Sequence, residues 1–288
     1  MGVDIRRYKA TTVNCLTILL IIFLMIQANE SMAQVVFLVA GQSNAVGQGN
    51  QDSSIIDTSG NTFEYSIIEN KLNTLHDPAG ENWKNFERAN TGSFLPSFAA
   101  TYAKHSRKKL VIVTAARGGS SCHEKAESGN MGTWSDSGRM KLFEDAVTKT
   151  KKAIALTNFR LGGIIWCQGE RDANAINSKQ LTGDEYYRSL TNLITRFRKS
   201  FGSDIPFYII QTGFYQNHER EGFDIVRKMQ EKVTEYLPAT FVIYKKAGDF
   251  EQQGWMKDEI HYSQQGLNDI GEKTAMNITK IERKIKRQ

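Results

Sequence analysis

Apolar residues in this chain fall into short unbroken runs that alternate with longer stretches of mixed polarity. The runs VVFLVA (35–40), LVIVTAA (110–116), LGGIIWC (161–167), PFYIIQTG (206–213) and FVIYKK (241–246) are rich in β-branched and aromatic residues. They read as strands buried on both faces. Between them lie LPSFAATYAKHSRK, MKLFEDAVTKTKKAIAL, residues 183–200, FDIVRKMQEKVTEYL and a closing stretch from about Gln264, all read as helices. In the second of these, Leu142, Phe143, Ala146 and Val147, then Ala153, Ile154 and Leu156, recur at helical spacing. Continuous strands separated by helices predict a parallel sheet covered on both sides, and right-handed crossovers make it a three-layer α/β/α sandwich with a five-stranded sheet.

The remaining segments, 44–93 and 117–138, are rich in Gly, Asn, Ser, Asp and His, and each follows the carboxyl end of a strand. Ligands of open α/β sheets bind at that edge, and long loops there are more often functional than not. With only four prolines, no long low-complexity linker and no internal repeat, residues 34–288 read as one domain.

Residues 1–33 have a different character. Arg6, Arg7 and Lys9 precede the apolar stretch VNCLTILLIIFLMI, and Ser31-Met32-Ala33 offers small residues for cleavage. This is the pattern of a secretory signal, and the apolar stretch is short for a membrane span. An exported protein, secreted or periplasmic and free of the membrane after cleavage, is the expectation; retention as an anchor stays open. The formal charge of +6 is mild and the only basic run is the terminal KIERKIKRQ, so a nucleic-acid partner is not expected. Beyond the first 33 residues, Cys122 and Cys167 show no zinc spacing. An exported compartment permits a bridge between them without requiring one. Nothing in the sequence sets the oligomeric state.

Four stretches carry groups that can do chemistry. Gly41-Gln42-Ser43-Asn44 follows the first strand, Arg117-Gly118-Gly119-Ser120 the second, and Gln168-Gly169-Glu170-Arg171-Asp172 the third; Asp258-Glu259-Ile260-His261 precedes the last helix. A serine hydroxyl becomes nucleophilic only beside a base oriented by a third group. Ser43, His261 and Asp258 supply the three, with Asp258 close enough in sequence to fold back onto the imidazole. Asp172 competes for the orienting role. A developing oxyanion needs fixed donors, available from the backbone N–H of Ser43, the Gly118-Gly119 turn and the Gln168 amide. The phosphate-cradle pattern G-x-G-x-x-G fails, because Ser43 and Val46 occupy the required glycine places. The elbow G-x-S-x-G fails at Ala45.

GQSNAVGQG, ARGGSS, WCQGERD and DEIHYSQQG, in that order, resemble the four blocks of the SGNH hydrolase superfamily. The likeness is to its branch of family 6 carbohydrate esterases (acetylxylan esterases) and sialate O-acetylesterase-like domains, and it spans Val35 to about Gly271. It implies a flavodoxin-like fold and a cofactor-free, metal-free serine esterase that removes acetyl groups from oligo- or polysaccharides. By position Ser43 matches the nucleophile, His261 the base, Asp258 the orienting acid, and Gly118, Gly119 and Gln168 the oxyanion donors. Gln168 stands where many superfamily members carry asparagine, so its reach depends on how Glu170 and Asp172 anchor the loop; both read as supporting residues. His123, Trp134 and Trp255 flank the blocks, the tryptophans as sugar platforms or as packing. Two other readings remain: an esterase for non-carbohydrate esters, and a non-catalytic carbohydrate-binding protein of the same fold.

Overall fold

A computed structural model describes residues 34–285, so the predicted export segment, residues 1–33, lies outside the described residues. In chain order the elements are β1 (Gln34–Gly41), α1 (Ser43–Val46), β2 (Thr62–Ser66), β3 (Lys71–Thr74), α2 (Leu95–Ser106), β4 (Lys109–Ala116), α3 (Leu142–Thr157), β5 (Arg160–Cys167), α4 (Glu170–Asn177), α5 (Gly183–Phe201), β6 (Phe207–Ile210), α6 (Glu221–Tyr236), β7 (Thr240–Tyr244) and α7 (Gln264–Ile285). They form one seven-stranded sheet in the order β3-β2-β4-β1-β5-β6-β7. Every pairing is parallel except β2 with β3.

The five predicted strands are all present, and the sheet has two more. The added β2–β3 hairpin lies inside the segment read as loop. Its strands are short, and β3 is an edge whose residues stay half-buried or exposed. A strand with one wet face shows no continuous apolar run, which is why the pattern missed it.

Alternation along β1 builds the two faces. Val36, Leu38 and Ala40 join Trp166, Leu190, Phe197 and Val226 under α3, α5 and α6. Val35, Phe37 and Val39 join Phe98, Tyr102, Leu267 and Ile278 under α2 and α7. Local chemistry sets the helix ends. Thr182 and Glu185 form a reciprocal capping box at the start of α5. α2 and α3 stop at Arg107 and Asn158, both at φ 56°, the left-handed turn that ends many helices. Among the described residues no helix is long and apolar enough to cross a membrane.

One buried charge ties the loop before α2 to the sheet. Lys149 of α3 is fully buried, and its Nζ reaches Glu81 Oε1 at 2.9 Å and Thr114 O at 3.0 Å. Burial holds the lysine pKa below its ordinary value against the opposing pull of the Glu81 carboxylate. Removing one partner of such a pair leaves the other uncompensated, at a cost of about 3–5 kcal/mol. Lys149→Ala is therefore expected to lower stability by about that much, read from the urea midpoint. A shift below about 1 kcal/mol would contradict this role.

Candidate active site

Three strands end side by side, with Gly41 in register with Ala116 of β4 and Cys167 of β5. The first three sequence blocks therefore leave the sheet from one edge. Gly41 adopts φ 147°, and a Cβ there would lie 2.0 Å from the Cys167 carbonyl oxygen, so only glycine lets the chain leave β1 against β5. Gln42 follows with its carbonyl accepting from Ala45 and Val46 N–H, which starts α1. Its side-chain Oε1 accepts from Arg171 N–H at 3.2 Å, joining the first block to the third.

Ser43 is the first residue of α1, and its hydroxyl is not spent on capping that helix. Oγ lies 3.0 Å from His261 Nε2, and His261 Nδ1 lies 2.8 Å from Asp258 Oδ2. The second Asp258 oxygen accepts from Ile260 N–H at 3.0 Å and His261 N–H at 2.8 Å. The loop that carries the histidine thus holds the carboxylate that orients it. Partial burial raises the Asp258 pKa, but the two backbone donors and the imidazole outweigh it and keep the carboxyl below its ordinary value.

Asn44 fixes this loop against the rest of the site. Its Nδ2 donates to Glu170 Oε1 at 2.8 Å and to Ile260 O at 3.2 Å, and its Oδ1 accepts from Tyr262 N–H at 3.3 Å. The residue after the serine is therefore bonded to both neighbours of His261. Glu170 sits buried in the first turn of α4, and burial raises its pKa against the opposing Asn44 bond. Its contact with the histidine loop runs through Asn44. The sequence left that partner unread, although Asn44 stands next to Ser43.

The second block forms a turn in which Ser120 N–H donates to Arg117 O at 3.2 Å and Gly119 takes φ 68°, a left-handed conformation suited to glycine. Gly118 N–H is already committed to Glu87 Oε2 at 3.0 Å. Glu87 also pairs with Arg117 at 2.9 Å, and Arg117 Nη2 donates to Asn130 O at 3.0 Å. The N–H groups of Ser43 and Gly119 make no hydrogen bond to any described residue. These two donors, not Gly118, are the ones open to an oxyanion.

Gln168 is fully buried, and its amide donates to Ser120 O at 3.2 Å and to the Asp172 carboxylate. Both amide hydrogens are spent, so the donor role implied for Gln168 does not fit this arrangement; the side chain braces the 117–120 turn instead. Asp172 accepts from Cys122 N–H at 2.8 Å and His123 N–H at 2.9 Å, with no contact to His261. Its burial pushes the pKa up to about 6 despite those donors. Of the two candidate acids, the structure pairs Asp258 with the imidazole and gives Asp172 to the second loop.

Of the flanking residues, Trp134 and His123 are buried and Trp255 is half-buried. Trp134 is fully buried, crosses Trp166 edge-on at 5.2 Å, and donates to Ser120 Oγ at 3.1 Å, so it supports the turn from the core. Trp255 packs on Phe250 at 5.4 Å. His123 is buried, with Nδ1 accepting from Lys125 N–H at 3.0 Å. Cys122 and Cys167 are both buried free thiols. A cavity of about 810 Å³ opens between β2, β3 and the loop after them, lined by Glu64, Asn73, His76 and Arg88, and no triad residue lines it. Among the described residues no group of three His, Cys, Asp or Glu is placed to hold a metal ion.

A mostly parallel α/β sandwich carries Ser, His and Asp hydrogen-bonded in a row at its carboxyl edge, and the protein is a carboxylic ester hydrolase. The chain belongs to the family of carbohydrate esterases described as sialic acid-specific acetylesterases, whose model matches residues 33–280. It is a carbohydrate O-acetylesterase. A solved protein of Arabidopsis thaliana is similar over 86% of this chain and 98% of its own, at 16% identity and a TM-score of 0.65, and shares the fold. A carbohydrate acetylesterase from Xanthomonas citri aligns over 84% of this chain and 55% of its own, at 19% identity and a TM-score of 0.49. A lipase/acylhydrolase from Enterococcus faecalis aligns over 86% and 96%, at 10% identity and 0.46. No curated protein matches the chain in sequence.

Proposed function

We propose that Ser43 attacks the acetyl carbonyl of an O-acetylated sugar and that the acetyl group passes through an ester on Ser43. The row Asp258–His261–Ser43, at 2.8 Å and 3.0 Å, carries this reading. His261 Nε2 takes the hydroxyl proton as Oγ bonds to the carbonyl carbon. Asp258, ionised and held by its own loop, keeps Nδ1 protonated and stabilises the imidazolium that forms. The oxyanion rests on the N–H groups of Ser43 and Gly119, which are oriented before substrate arrives and cost no reorganisation. Collapse of the intermediate expels the sugar alkoxide, which takes the proton from His261. Water, deprotonated by the same imidazole, then releases acetate and restores Ser43.

The sugar is an acetylated glycan of the xylan or sialate type. The basic and apolar pattern of residues 1–33 supports an exported protein, secreted or periplasmic, that meets such polymers outside the cell. Acetate release tests the substrate reading, with acetylated xylan and an O-acetylated sialoside compared against p-nitrophenyl butyrate. The expected result is acetate from at least one glycan at a kcat/KM above that for the butyrate ester. Turnover of butyrate alone would overturn the carbohydrate assignment.

A further inference from the structure

Gly119 has a neighbour that the chemistry above does not use. The three atoms nearest to a Cβ built on Gly119 all belong to Met131: Cγ at 3.0 Å, Sδ at 3.1 Å and Cβ at 3.3 Å. The Met131 side chain therefore fills the space on the Cβ side of the residue that carries the free oxyanion donor. Met131 is also 47% exposed, one of few large apolar side chains left in solvent. Its exposed part is therefore open to a molecule bound at the Gly119 turn.

Hydrogen bonds on both sides pin the segment that presents it. Asn130 O accepts from Arg117, the residue that pairs with Glu87 and begins the oxyanion turn. Gly132 O accepts from Ser121 N–H at 3.1 Å just past the same turn, and Met131 N–H donates to Ser128 O at 3.1 Å. Arg139 holds Gly129 O at 2.9 Å. Arg117 thus couples the backbone beside Met131 to the turn that offers the donor.

An oxyanion bound at Gly119 N–H sits about 3 Å from that nitrogen. The acyl substituent hangs from the same carbon as the oxyanion, one bond away. A side chain packed on Gly119 is therefore placed to border that substituent. We propose that Met131 is a specificity-determining residue that walls the acyl pocket and restricts the transferred acyl group to acetyl. A methyl group fits against the thioether, whereas a longer chain must push it aside. Methionine suits the place because its unbranched, polarisable side chain moulds to a small apolar group. The inference rests on Ser43 as nucleophile and Gly119 as donor.

Steady-state kinetics on p-nitrophenyl acetate, propionate and butyrate test it, with the parent protein, Met131→Ala and Met131→Leu. One methylene in an apolar pocket is worth roughly 10–200-fold in discrimination. The parent is expected to prefer acetate over butyrate by at least about tenfold. Met131→Ala should raise the butyrate-to-acetate ratio of kcat/KM about tenfold, and Met131→Leu, of similar volume, should restore the parent ratio. Melting temperatures should match across all three, because the side chain is half in solvent. An unchanged ratio in Met131→Ala, or equal loss on every ester, overturns the gate. Ser43→Ala is run beside them to separate the two levels. Turnover that needs Ser43 with an unmoved ratio removes Met131 alone, while turnover that survives Ser43→Ala, or no turnover of any ester, removes both.

Discussion

Ser43→Ala is expected to lower kcat by about 10⁶-fold on any ester the parent cleaves, the scale seen when a triad serine is removed elsewhere. Three features make the loss that large. Among the described residues the hydroxyl is the only nucleophile 3.0 Å from an imidazole nitrogen that is itself held by a carboxylate. Without it, His261 has no proton to take, and no acyl-enzyme divides the reaction into easier steps. Residual hydrolysis would come from binding and the two backbone donors alone. The fold should not notice, because the side chain is only partly buried and its single hydrogen bond is to the histidine. The melting temperature should stay within about 2 °C, which corresponds to less than about 1 kcal/mol at this chain length. A variant that keeps more than about one hundredth of the parent kcat would remove Ser43 from the mechanism.

Asp258→Asn is expected to cost about 10⁴-fold in kcat, through the tautomer and not through lost shape. In the parent one carboxylate oxygen accepts the backbone N–H groups of Ile260 and His261, leaving the other for Nδ1. An asparagine keeps its oxygen on those two donors and turns its NH₂ toward the ring. Nδ1 must then accept, the ring proton moves to Nε2, and the imidazole faces Ser43 Oγ as a donor instead of a base. Asp172→Asn is the informative contrast. That residue holds the 117–123 segment through Cys122, His123 and Gln168, so its loss should appear mainly as lower stability. Loss of kcat below about tenfold in Asp258→Asn, or a larger loss in Asp172→Asn at equal foldedness, would exchange the two acids.

Much of this was legible in the residues because the physics is local. The five strands from β4 through β1, β5 and β6 to β7 announce themselves as apolar runs since helices cover the sheet there on both faces, and the helices between them by spacing. Ser43, His261 and Asp258 stand at the ends of such elements, so their meeting follows from a shared sheet edge. What escaped was long-range or one-sided. The β2–β3 hairpin has a wet face and no apolar run. The partner of Glu170 lies 126 positions away at Asn44, and the choice between Gly118 and Gly119 depends on Glu87, from a loop with no pattern of its own. Gln168 was misread for a related reason. Its extra methylene carries the amide to Asp172 and Ser120, and no spacing in the sequence reports where a flexible side chain ends. Trp134 looked like a candidate platform because it flanks a motif, yet the core between α5 and the sheet encloses it.

Acylation at Ser43 can be read out with an active-site-directed phosphonate. The protein would be treated with a fluorophosphonate, digested, and mapped by mass spectrometry, with His261→Ala alongside. One label is expected, on Ser43, formed in step with loss of esterase activity and slowed strongly in His261→Ala. Labelling at another residue, or full loss of activity with Ser43 unmodified, would contradict it.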